Sequence, residues 1–191
     1  MRSIKILAVL FGLVAGMGLA QMNHGNMGMD ARAELSKLSG RDFDIAYMSM
    51  MIEHHRGAVM MAQQVLRVSQ DERIRGAARD IIRVQNQEIT QLTGWLRSWY
   101  GVSPSQRYMT MMGQGMTPMM DSSMPGMMGG QRSADRAFLE GMILHHQDAV
   151  DMSELCLRKA ARSELTRFCQ GVIDVQTREI AQFRAWLETL K

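Results

Sequence analysis

The sequence predicts an all-α protein, a four-helix bundle built from two copies of one helical hairpin and joined by a long Met-rich linker. Three observations carry this. Residues 41–100 match residues 132–191 at a constant offset of 91 without a gap. Apolar residues in each copy recur with the 3.6-residue period of a helix face. Aromatic residues are only 6% of the chain, and there are three prolines, a composition poor in what strands favour. With 191 residues and 46% hydrophobic side chains, the chain can bury one ordinary core.

Taken in order, residues 1–20 read as an export signal. Arg2 and Lys5 supply a positive start, Ile6 to Leu19 is apolar, and Gly18-Leu19-Ala20 offers a small-x-small cleavage site after Ala20. The other reading is an uncleaved anchor, but the apolar run is short for a bilayer span of about 20 residues. Residues 21–40 form a polar tail containing Met, expected to be flexible. The first hairpin occupies 41–100. Its first helix carries the apolar stripe through 48, 51, 52, 55, 58, 59, 62, 65 and 66. Ser69 and Glu72 then have capping-box spacing before the second helix. Gly101 and Pro104 end that helix. Residues 101–132 form a Met- and Gly-rich linker whose composition predicts neither helix nor strand. The second hairpin occupies 133–191 and breaks near Ala161-Arg162-Ser163.

Charge excludes one class of function. The formal charge is +3, but removal of Arg2 and Lys5 with the signal leaves 20 basic against 19 acidic side chains. Such a mature chain has no basic footprint for nucleic acid. After cleavage it has no expected membrane span.

Methionine is the compositional anomaly, at 21 residues. The repeat acts as a filter on where chemistry sits. Four of five histidines recur in register: His54 with His145 and His55 with His146. Met51, His54, Ala58 and Met61 share one helix stripe, and Met142, His145, Ala149 and Met152 repeat it. Thioethers select Cu(I), while imidazole suits copper, zinc and iron. His54, His55, His145 and His146, with Met51, Met61, Met142 and Met152, are therefore the candidate bundle site, for copper ahead of zinc or iron. The competing reading is a set of core histidines hydrogen-bonded to carboxylates, with Met as filler.

Gln85, Glu88, Gln176 and Glu179 lie at the edge of the apolar stripe of the second helices. They are placed either as ligands, as acceptors behind the histidines, or as local boundary groups. Asp44 and Asp135 fall in the first helical turn, where an acid favours the helix dipole. In the linker, Met109, Met111, Met112, Met116, Met119, Met120, Met124, Met127 and Met128 offer clustered thioethers as a separate flexible Cu(I) site. A low-complexity spacer and an oxidant trap are the alternatives. Cys156 and Cys169 take core positions almost equidistant from the turn near residue 162. In an exported protein a disulfide is the favoured state; free thiols or copper thiolates are the others.

The segments MIEHHRGAVMMA (51–62) and MILHHQDAVDMS (142–153), each followed by Q-x-x-E-I and then W-L, resemble the bacterial family catalogued as domain of unknown function 305. The resemblance covers residues 40–191. It implies a ferritin-like bundle, an exported location and, for some members, periplasmic copper binding and copper resistance. Glu53 and Leu144 stand where family members commonly carry Pro, which implies a straighter helix here. The resemblance implies no agreed enzymatic activity, and no catalytic residue is assigned. The expected function is periplasmic copper binding or sequestration. The expected partners are metal ions and another periplasmic copper protein. The alternatives are a ferritin-like di-metal oxidase or peroxidase, or a non-catalytic Met-rich bundle that scavenges oxidants or binds a partner. Against the oxidase, the Glu-x-x-His pattern is absent, since Met51 and Met142 occupy the Glu position.

Overall fold

The computed structural model describes residues 27–116 and 130–190. The export signal, His24 and the linker methionines 119, 120, 124, 127 and 128 lie outside the described residues. Among the described residues there are helices and no strands. They are α1 (Met27–Lys37), α2 (Gly40–Leu66), α3 (Glu72–Tyr100), α4 (106–116), α5 (Gln131–Lys159) and α6 (Ser163–Thr189). None of them is long and apolar enough to cross a membrane.

α2 and α3 form the first hairpin, and α5 and α6 the second. The first break does not use a capping box. Asp71 caps α3 by accepting a hydrogen bond from the Arg73 backbone N–H at 2.9 Å, and Ser69 Oγ accepts from the Asp71 N–H. At the far end of α3, Gly101 adopts a left-handed φ of 69°, which glycine takes at little cost. The second hairpin closes with a disulfide between Cys156 and Cys169, whose Cα atoms are 6.2 Å apart.

α2 and α5 are the central pair, and their register is antiparallel. Tyr47 Oη lies 2.8 Å from Ser153 Oγ, and the rings of His54 and His145 touch. Residue numbers rise along one helix as they fall along the other, with His54 and His145 at the crossing. The core divides there into two clusters. One holds Met51, Ala149, Met152 and the disulfide; the other holds Ala58, Met61, Met142 and Phe138. All are buried, so the methionine stripe faces inward on both central helices.

Three local expectations are corrected. Part of the expected flexible tail is helix α1, whose Ala31 and Leu35 are buried in the core. Part of the expected non-helical linker is α4, and its Met112 and Met116 are buried too. Spaced four residues apart, these two lie on one face, so apolar docking outweighed the poor local propensity of a Gly-containing segment. Asp44 does more than favour a helix dipole. It is fully buried, accepts from Tyr100 Oη at 2.5 Å and from the Ala161 N–H at 2.9 Å. It thereby ties the end of α3 and the α5–α6 turn to the start of α2. Burial and the Asp44 carboxylate push the Tyr100 hydroxyl up to about 12.

Candidate metal site

The four repeated histidines are buried, none more than 1% exposed. They sit mid-helix because each lies on the apolar stripe of a helix that is covered on both sides. The structure separates them into a central pair and two flanking groups. The His54 and His145 ring centroids are 3.7 Å apart, with planes tilted by 42°. His55 and His146 turn away, each more than 6 Å from its neighbour by ring centroid. Successive residues on a helix are about 100° apart, so adjacent side chains must meet different neighbours.

The flanking pair repeats closely. His55 Nε2 lies 2.8 Å from Glu88 Oε2, and His146 Nε2 lies 2.8 Å from Glu179 Oε2. Neither contact meets hydrogen-bond geometry at the ring nitrogen. The two glutamates line one narrow cleft between α3 and α6 with Gln85 and Gln176. Both glutamine Oε1 atoms are buried without a hydrogen-bond partner among the described residues.

The central pair is more exposed energetically. No ring nitrogen of His54 or His145 has a hydrogen-bond partner of good geometry among the described residues, although each ring also interacts with the backbone of the opposite histidine. The closest carboxylate, Asp148 Oδ2, is 3.7 Å from His54 Nε2, beyond hydrogen-bond length. A neutral imidazole carries one donor and one acceptor, and leaving a buried polar group unpaired costs about 1–3 kcal/mol. Burial, and then the neighbouring His145 ring, hold His54 well below the ordinary histidine value; burial, and then His146, do the same to His145. Both rings are therefore neutral at physiological pH, with lone pairs free for an ion. Burial also raises the Asp148 carboxyl.

Soft donors stand nearby. A β-carbon placed on Gly57 would lie 3.2 Å from His145 Nε2 and 3.2 Å from Met116 Sδ. The missing side chain thus lets a nitrogen from α5 and a sulfur from α4 face one point. Among the described residues, no three His, Cys, Asp or Glu side chains converge as an ion site by themselves. The His54–His145 pair fits an ion best where thioethers complete the donor set. Sequence reasoning had Met116 in a separate linker site and did not single out Asp148 or Gly57. The signal was present, because positions 57 and 148 correspond at the 91-residue offset yet differ in chemistry.

The family description for DUF305, a domain of unknown function, matches residues 14–93 and 44–187. The chain belongs to the DUF305 family. Its fold is similar to that of CopM in the Cu(II)-bound form, with 28% identity, 81% of this chain and 99% of that chain covered, and a TM-score of 0.67. CopM is also known in Cu(I)-bound and Ag-bound forms. A DUF305 protein from Streptomyces coelicolor described as secreted is 28% identical over 77% of this chain and 93% of that one, with a TM-score of 0.66. A DUF305 fragment from Deinococcus radiodurans is 26% identical over 80% of this chain and 99% of that one, with a TM-score of 0.68. No curated protein matches the chain.

Proposed function

We propose that this DUF305 protein is an exported copper-binding protein that sequesters copper ions for copper homeostasis or resistance. The observation that carries the reading is the His54–His145 contact: two buried, neutral imidazoles without hydrogen-bond partners of good geometry at the crossing of α2 and α5. An unligated pair of this kind costs stability, and a soft ion bound to it would return that cost. The methionines at 51, 61, 142 and 152 are buried in the two clusters that meet there. Similarity to CopM, which is known with Cu(I), Cu(II) and Ag bound, supports the same ligand class here. The positive start, apolar run and Ala20 cleavage site of the N-terminus support export to the periplasm.

His55 and His146, with Glu88 and Glu179, act in this reading as a flanking set that ties α2 to α3 and α5 to α6. The linker methionines offer further thioethers for Cu(I). The test is an anaerobic Cu(I) titration of the mature protein against a competing chelator, with Zn(II) and Fe(II) as controls. Copper should be retained and the His54→Ala, His145→Ala double variant should retain less. Equal Cu(I) retention by parent and variant would refute the assignment to these residues.

A further inference from the structure

The repeat is broken at one position beside the central histidines, and the break is chemical. Gly57 in α2 corresponds to Asp148 in α5. Each lies against the histidine of the opposite helix. At Gly57 the absent β-carbon leaves a point 3.2 Å from both His145 Nε2 and Met116 Sδ. At Asp148 a carboxylate oxygen lies 3.7 Å from His54 Nε2. The two histidines are related by the repeat, yet one faces a thioether and the other a carboxylate.

The surroundings extend this difference. A groove of about 730 Å³ between α2 and α4 is lined by Gly57, Met60, Met109 and Met116, with Glu53 and Arg56. Met60 is 42% exposed at its outer part, and Met116 is buried at its inner part. Thioethers thus line the groove from the exposed Met60 to the buried Met116, whose Sδ shares the Gly57 point with His145 Nε2. The Asp148 side has a different character. Asp148 feels the positive charge of Arg32, which itself pairs with Asp151. Thioether with imidazole selects soft monovalent ions, whereas carboxylate with imidazole suits divalent ones.

We propose that the His54–His145 contact separates two unlike ion positions: a soft monovalent position between His145 Nε2 and Met116 Sδ over Gly57, entered by the Met60–Met109 groove, and a divalent position between His54 Nε2 and Asp148. This rests on the reading of the central histidines as a metal site. The duplicated hairpin then binds both oxidation states of copper without one site having to change its donors.

The experiment uses the mature full chain, with Ag(I) as a redox-inert monovalent probe and Cu(II) in air, each followed by isothermal titration. Met116→Leu should weaken Ag(I) by at least about tenfold and leave Cu(II) within about threefold, because loss of a ligand costs no less than loss of the group behind it. Asp148→Asn should do the reverse. Gly57→Ala places a methyl group where the nitrogen and sulfur converge, favours the helix, and should reproduce the Ag(I) loss if Met116→Leu does not fold. Should the variants weaken both ions equally, or neither, the two-position inference is overturned while the metal site stands. A parent chain that binds neither Ag(I) nor Cu(II) overturns both.

Discussion

Replacing both central histidines by leucine should make the metal-free protein more stable. His54 and His145 are each 1% exposed, and none of their ring nitrogens has a hydrogen-bond partner of good geometry among the described residues. Removing two unpaired buried imidazoles recovers about 2–6 kcal/mol at about 1–3 kcal/mol each. Refilling the crossing with a differently shaped side chain costs up to about 1.5 kcal/mol at each position. The net expectation for His54→Leu, His145→Leu is a gain of about 2 kcal/mol at pH 7.5, within the range those two terms leave open. Urea unfolding in the presence of a chelator, with the disulfide intact, measures it.

The pH dependence gives a second, independent handle. Burial holds both histidines well below the ordinary value in the folded state, whereas the unfolded chain takes up protons near pH 6.5. Below that pH the unfolded state binds more protons than the folded one. Parent stability therefore falls with falling pH by about 1.4 kcal/mol per unit for each histidine, until the depressed folded values are reached. The double variant lacks this slope, so its advantage should widen by about 2 kcal/mol between pH 6.5 and pH 5.5. Ag(I) at a hundred times its dissociation constant should add about 2.7 kcal/mol to the parent and little to the variant. A double variant less stable than the parent at pH 7.5, with an unchanged slope below pH 6.5, would show that these imidazoles are satisfied in the fold and refute the argument.

Two further outcomes follow from the packing. Replacing Cys156 and Cys169 by serine opens a loop of 13 residues and should lower stability by about 3 kcal/mol, read as a shift of the denaturant midpoint under non-reducing conditions. Met112→Ala should cost about 2–5 kcal/mol in the same assay, because Met112 is 1% exposed and packs in the core as a helix residue; a neutral result would place α4 outside the folded unit.

The two hairpins were legible because helix periodicity is local. An apolar stripe and its repeat at 91 residues identify which face of each helix is buried before any partner is known. The inward position of Met51, His54, Met61, Met142, His145 and Met152 was readable for the same reason. The docking of α1 and α4 was not. Both segments have weak local signals, and their buried residues, Ala31 and Leu35 in one and Met112 and Met116 in the other, gain only from a core made by distant parts of the chain.

By itself the sequence determined the helical class, the duplication, the register of its repeat and the set of side chains from which a site can be made. Only the tertiary structure decided how that set divides. His54 and His55 are adjacent in sequence, yet one meets His145 and the other Glu88. Gly57 and Asp148 correspond in sequence, yet one opens onto Met116 and the other faces His54. The physical reason is that a stripe specifies a face but not a neighbour. The neighbour depends on the antiparallel register of α2 against α5 and on where α4 docks, and both are settled by packing between segments far apart in the chain.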